Sequence, residues 1–296
     1  MIATIMNFCS NEYPFLGDCI AQAKAFSKEI IIPVCDHFFD GTPQDKNALR
    51  AIYSEFPDCS FIEYEFNPEK IQLGPKNAQF WHNLSRLIGF YFVDKDVDYI
   101  LFIDCDEIFD SAAFTKWLYG FPYSEYEAMQ LACYWYFRKE WLRADQWEDT
   151  PLLIKRSSIS PDAVMAQGER GALYFRARGK KLRYVTGLDQ KPMVHHYSWV
   201  RAKEQMLRKV TSWSHREEKN WNALVENAFS ESSNASDFVH GYELMTVQPF
   251  IEVDLQKKPL PSSREQELKN VRFLNTDAIN KIDLSLRFNI PVQLCT

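Results

Sequence analysis

An α/β fold, built as a doubly wound, mixed but mainly parallel sheet with helices on both faces, follows from three observations on this sequence. Short apolar runs alternate with stretches of helical periodicity through the first hundred residues, the order expected of parallel crossovers. The fourth run, Tyr99-Ile100-Leu101-Phe102-Ile103, has no polar interruption, which marks a strand covered on both faces. Beyond residue 107 the strand-like segments shorten and lose their intervening helices, which predicts mixed pairing there. With 296 residues, 46% apolar and 15% aromatic, the chain approaches the size at which one core begins to split. The expected division is one domain over residues 1–200 and a helical or irregular C-terminal appendage over 201–296 packed on it.

Each element has its own warrant. Residues 2–8 are a first apolar strand; Ser10 and Asn11 then offer helix caps, Pro14 suits an opening turn, and Leu16, Cys19, Ile20, Ala23 and Phe26 recur at helical spacing. A second strand at 30–34 ends in Cys35-Asp36, and the turn residues Asp40-Gly41-Thr42-Pro43 precede a helix with Leu49, Ile52, Tyr53 and Phe56 on its apolar face. A third strand covers 60–66, a helix 77–93, and Asp110-Ser111 can cap a helix over 112–117. Residues 126–137, 152–155, 182–186 and 192–200 read as further strands. A single long helical pattern over 201–229 carries Arg201, Lys203, Arg208, Lys209 and Arg216 in its first half, by default a solvated basic face that can spare one or two residues for phosphate.

Several function classes fall away. The net charge of −6 and pI near 5.6 argue against nucleic acid as a partner. No G-x-G-x-x-G follows the first strand and no G-x-x-x-x-G-K-[ST] occurs, so neither a dinucleotide cofactor nor P-loop hydrolysis is expected. No apolar run nears the roughly 20 residues of a membrane span, and the start lacks the basic region of a secretory signal. Seven scattered cysteines without zinc-type spacing read as reduced thiols of a cytoplasmic protein.

The chemistry concentrates where the buried run meets Asp104-Cys105-Asp106-Glu107. Strand alternation puts Asp104 and Asp106 on one side, and two residues of strand span only about 6.6 Å, so the pair is expected to share one hard cation, Mn²⁺ or Mg²⁺. His195 and His196 follow at the end of a later strand, and adjacent residues face opposite ways. The face of Met193, His195, Tyr197 and Trp199 is the bulkier, which leaves His196 as the candidate third ligand. Trp135, Trp141 and Trp147 are candidates for stacking on a sugar, with core packing expected for about two of them.

An apolar strand, then D-x-D, then a downstream His before a basic helix resembles the metal-dependent glycosyltransferases of the GT-A fold, nearest the bacterial family-two group. Asn11-Glu12 after the first strand, Asp36 at the end of the second, Asp40-Gly41-Thr42, and the helix bearing Asn83 and Arg86 agree with it over residues 1–215. The resemblance implies a nucleotide-sugar donor, UDP- or GDP-linked, and a glycan, lipid-linked or protein acceptor. Asp36 would bond the base near the backbone of residues 7–11, with Asn11 also at the donor. Asp104 would touch the ribose or the ion, Asp106 would ligate the ion, and Arg86 and Lys76 would lie near the diphosphate. An inverting member also needs a carboxylate base; Gly168-Glu169-Arg170 stands where the family often has G-E-D, which nominates Glu169, with Asp189 as runner-up. Arg170 in place of the second acid departs from the pattern. The competing readings are a Mg-dependent phosphatase of the HAD type, with Asp104 as nucleophile, and a nucleotide-sugar-binding protein without turnover.

Overall fold

A computed structural model describes residues 1–71, 77–213, 215–230, 236–260 and 268–288, with side chains described to residue 282. Lys76 lies outside the described residues. Among the described residues the first half follows the expected succession: β1 (Ile2–Asn7), α1 (Tyr13–Ala23), β2 (Glu29–Cys35), α2 (Lys46–Glu55), β3 (Ser60–Tyr64), α3 (Ala78–Phe92) and β4 (Tyr99–Asp104). Caps set several boundaries: the side chains of Asp45 and Asn77 accept from backbone N–H groups at the starts of α2 and α3. Ser10 and Asn11 instead lie in a 3₁₀ turn before α1 and do not cap it.

After β4 come β5 (Glu107–Phe109) and α4 (Ser111–Gly120), capped by Asp110. Then β6 (Ala128–Leu131), β7 (Cys133–Phe137), β8 (Leu142–Glu148) and β9 (Leu152–Lys155) run in quick succession. Short α5 (Pro161–Val164), α6 (Glu169–Arg176), β10 (Lys181–Val185) and β11 (Val194–Trp199) follow. The expected long helix is two, α7 (Lys203–Ser212) and α8 (Trp221–Ser230), and the chain continues through β12 (Leu244–Thr246), β13 (Val271–Leu274) and α9 (Thr276–Phe288).

Among the described residues these strands make two sheets. The larger has order β10-β6-β9-β4-β1-β2-β3-β13, with β9 antiparallel to β4 and β6 and the other pairs parallel. This is the mixed, mainly parallel sheet that the pattern predicts. The smaller, β12-β8-β7-β11-β5, stands beside it. The segment read from sequence as one strand over 126–137 divides between the two sheets at Ala132. Alternation along β1 sends Ala3 and Ile5 to the face covered by α3, and Ile2 and Met6 to the face covered by α1. A third core, between the smaller sheet and α7–α8, gathers Trp135, Trp199, Met206 and Trp221. The C-terminal region is less separate than expected, since β13 continues the larger sheet beside β3 and β12 continues the smaller beside β8. No helix among the described residues is long and apolar enough to cross a membrane.

Candidate active site

The carboxyl ends of β1, β2 and β4 open into a cavity of about 490 Å³. Topology explains its position. β1 has β2 on one side and β4 on the other, so the connections leave β1 in opposite directions and a crevice opens at the switch. Asn7 and Asp104, the last register partners of β1 and β4, flank that crevice and line the cavity. The opposite wall carries Trp135 of β7, Glu148 of β8, His196 and Ser198 of β11, Lys209 of α7 and Trp221 of α8.

The D-x-D does not continue the strand. β4 stops at Asp104, and Cys105–Asp106 turn the chain into β5, so alternation no longer dictates a shared direction. Asp104 meets Arg170 at 3.0 Å, Arg86 at 3.3 Å and His82 at 3.4 Å. Asp106 meets Arg201 at 3.0 Å and Lys209 at 3.5 Å through Oδ2, and His196 Nε2 at 3.6 Å through Oδ1. No described side chain contacts both carboxylates, and the expected sharing of one ion by Asp104 and Asp106 is replaced by two separate cation clusters. Burial alone would raise both acids, but neighbouring charge outweighs it. Arg170, Arg86 and His82 hold Asp104 well below the usual range, and Lys209, His196 and Arg201 lower Asp106.

A divalent ion, which the resemblance implies, finds part of its expected donor set here. Asp106 Oδ1 and His196 Nε2 stand at a separation that two ligands of one ion can span with bonds of about 2.0–2.2 Å. Asp104 has both oxygens engaged by arginine, which also leaves it poorly placed as the nucleophile of a phosphatase. No group of three or more His, Cys, Asp or Glu side chains is arranged to hold a metal among the described residues.

The remaining candidates divide. Asn11 lines the cavity while its amide donates to Gln205 O at 3.3 Å. Asp36 turns away: its Oδ1 accepts from Phe66 N at 2.8 Å and meets His37 Nδ1 at 2.6 Å, and it does not line the cavity. Arg86 is buried beneath Asp104 rather than open to a phosphate. Asp189 is exposed, away from the cavity, and accepts from Lys191 N. His196 faces the cavity, whereas His195 stacks on Phe250 at 4.1 Å and meets Tyr136 Oη at 2.8 Å, where burial pulls its pKa down to about 3. Of the three tryptophans only Trp135 is buried, and it lines the cavity; Trp141 and Trp147 are 40% and 39% exposed.

Glu169 does reach the cavity, through left-handed φ values at Gly168 (101°) and Glu169 (52°) that open α6. A side chain costs of order 1–2 kcal/mol in that conformation. His82 at 3.3 Å and Arg86 at 3.5 Å receive its carboxylate; burial opposes ionisation, and these partners overcome it to lower the pKa strongly. That makes Glu169 a reliable anion and a weak proton acceptor.

Other residues at the site have little local signal in the sequence. Arg170 forms a two-point pair with Glu107 and reaches Asp104, so the residue that departs from the family pattern ties α6 to the D-x-D. Arg201, 1% exposed, pairs with Glu12 and Asp106. Glu148 meets His240 at 3.0 Å and lies 3.9 Å from His196; burial raises its pKa. Five of the protein's six histidines (His37, His82, His196, His215 and His240) line this one cavity.

Comparison with protein-family models finds no match, and no curated protein sequence matches. Solved structures of similar architecture do exist. The 4-diphosphocytidyl-2C-methyl-D-erythritol synthase of Anaerococcus prevotii aligns at 12% identity and TM-score 0.41 over 64% of this chain and 88% of its own. The glycosyltransferase GlyE of Streptococcus pneumoniae aligns at 11% and 0.37 over 78% and 63%. The galactosyltransferase LgtC, solved with donor and acceptor sugar analogues, aligns at 14% and 0.38 over 76% and 95%. Likeness at this level transfers neither substrate nor mechanism.

Proposed function

We propose that the protein is a glycosyltransferase that moves a sugar from a nucleotide-sugar donor, UDP- or GDP-linked, to a hydroxyl of a glycan, lipid-linked or protein acceptor, with Mn²⁺ or Mg²⁺ bound beside Asp106. The observation that carries this reading is the charge of the switch-point cavity. Among the described residues six carboxylates line it (Glu12, Asp104, Asp106, Glu148, Glu169 and Glu218), against Arg170, Lys209 and Lys219 in the lining and Arg86 and Arg201 just behind it, which pair with Asp104, Glu169, Glu12 and Asp106. The cations are thus already largely committed to carboxylates, and a diphosphate entering the cleft needs a cation of its own. Asp106 Oδ1 and His196 Nε2 would hold that cation, and such ions commonly complete their shell with water and substrate phosphates. When bound, the ion supplies Lewis-acid stabilisation of the departing diphosphate.

The chain's own residues do the rest. Arg201 and Lys209 hold Asp106 ionised, and Arg86 and Arg170 fix Asp104 beside the donor. Glu148 is a partly buried cavity carboxylate whose described partners are imidazoles alone, and it stands on the aromatic side with Trp135 and His240. It is therefore proposed to receive the acceptor hydroxyl proton, in place of Glu169. Free thiols at the six cysteines among the described residues accord with a cytoplasmic setting. The test is calorimetric titration with UDP, GDP and CDP, with and without Mn²⁺, followed by donor hydrolysis. Metal-dependent binding and slow release of nucleoside diphosphate support the transferase. Binding without turnover of any donor favours a silent binding protein, and no binding of any nucleotide removes the reading.

A further inference from the structure

β10 is an outermost strand of the larger sheet, and the chain around it differs in charge from the protein as a whole. Residues 175–191 carry Arg176, Arg178, Lys180, Lys181, Arg183 and Lys191 against Asp189 alone, in a chain whose net charge is −6. Lys180 pairs with Glu125 and Arg183 with Asp149, while Arg176, Arg178, Lys181 and Lys191 have no ion pair among the described residues. Exposed apolar side chains stand among these cations. Phe175 is 64% exposed and Tyr119, near the end of α4, 89%; Tyr184 and Leu188 are half exposed. Contacts join them into one face. A methyl added at Gly120 would meet Leu188 Cδ1 at 2.6 Å, so the turn carrying Leu188 rests on the end of α4. Arg183, Tyr184 and Leu188 line one groove with Trp117 and Phe121. Lys180 Nζ lies 4.3 Å from the ring of Tyr126, which stacks on Phe121, and Lys181 Nζ donates to Phe175 O at 3.2 Å.

Cations on an edge strand commonly keep another sheet from pairing there, and the register shift between Leu182 and Val185 serves the same end. That purpose needs no apolar side chains in water. Tyr184 takes a left-handed φ of 55° within the shifted stretch, and its ring stays half exposed while Leu182 and Val185 pack inward. A second copy paired edge to edge would set the basic run against itself. A surface with phosphates above hydrocarbon takes both kinds of side chain at once. Lysine and arginine reach the phosphates, and aromatic and leucine side chains enter the layer beneath. We propose that this face docks the protein on an anionic lipid bilayer as a peripheral contact. Charge complementarity carries the assignment. The remainder of the chain is acidic and is repelled by the same surface, so attraction confined to one edge also fixes which side of the protein meets lipid. None of these residues lines the switch-point cavity, so the inference is independent of the nucleotide-sugar reading.

The experiment is co-sedimentation of the full chain with vesicles of phosphatidylcholine alone and of phosphatidylcholine mixed with phosphatidylserine, at low and at high salt. Binding is expected on the anionic vesicles and should weaken as salt screens the charges. Each cation near such a surface contributes about five-fold to binding, so the combined variant Arg176→Gln, Arg178→Gln, Lys191→Gln should lose about 100-fold. The combined variant Tyr119→Ser, Phe175→Ser keeps every charge and should lose about ten-fold. Urea unfolding of both variants is expected to match the parent, since all five side chains are exposed. Absence of binding to the anionic vesicles overturns the inference, as does equal binding to the neutral ones. Unchanged vesicle affinity in either variant overturns it as well. Binding of a single-stranded RNA oligonucleotide that the charge variant loses, with no binding to vesicles, assigns the face to nucleic acid instead.

Discussion

Replacing Arg86 with methionine tests the buried charge cluster most directly. Arg86 is 2% exposed and meets Asp104 at 3.3 Å, Glu169 at 3.5 Å, Asn83 Oδ1 at 3.3 Å and His82 Nε2 at 3.2 Å. Methionine keeps much of the volume and removes the charge, leaving two buried carboxylates with fewer cations. Breaking a buried pair from one side costs about 3–5 kcal/mol, because the partner stays buried and uncompensated. His82 decides the pH dependence. Burial and Arg86 push its pKa down, Glu169 and Asp104 push it up by more, and the net shift is upward. Without Arg86 that upward shift grows, so the folded variant holds a proton on His82 which the unfolded chain releases near pH 6.5. A group bound more tightly in the folded state stabilises below its unfolded pKa, and that stability is lost as pH rises through the folded value. The deficit relative to the unaltered protein, read by urea unfolding, should therefore be larger at pH 8.5 than at pH 6. A deficit below about 1 kcal/mol, or one equal at the two pH values, refutes the argument and returns Arg86 to a solvent-screened role.

Other expectations are read more simply. Asp106→Asn should weaken Mn²⁺-dependent nucleotide binding by about 100-fold in calorimetry while far-ultraviolet circular dichroism stays the same; retained affinity moves the ion elsewhere. Glu148→Gln should lower sugar transfer by about 10²–10⁴-fold at unchanged donor affinity, whereas normal transfer excludes it as proton acceptor. Gly89→Ala places a methyl 2.5 Å from Ile5 Cγ2 and 3.1 Å from Pro33 Cγ. Overpacking there should cost about 1–3 kcal/mol and outweigh the gain of about 1 kcal/mol in helix propensity; a urea midpoint at or above that of the parent contradicts the close packing of α3 on β1 and β2.

The difference between what local pattern reveals and what it hides has a physical basis in this chain. β1 to β4 and α1 to α3 are legible because periodicity records burial, and these elements bury regular faces. β8, Leu142–Glu148, alternates poorly since its later residues are exposed, and its one chemically suggestive residue, Glu148, acquires meaning only from His196 and His240 elsewhere in the chain. β13 joins the larger sheet through pairing with β3, a contact across some two hundred residues that no local window contains. The basic run at the start of α7 shows the same limit in energetic form. Counted as charge it suggests a solvated face, and Lys203 does pair with Glu226 at the surface. Arg201 and Lys209, however, turn inward to Asp106, because a turn at Cys105–Asp106 aims that carboxylate at α7. Where a strand ends thus decides which partners its last acids meet. At this site it assigns Asp104 to the α3 and α6 arginines and leaves one oxygen of Asp106 facing an imidazole, the arrangement from which a metal-bound diphosphate site would be built.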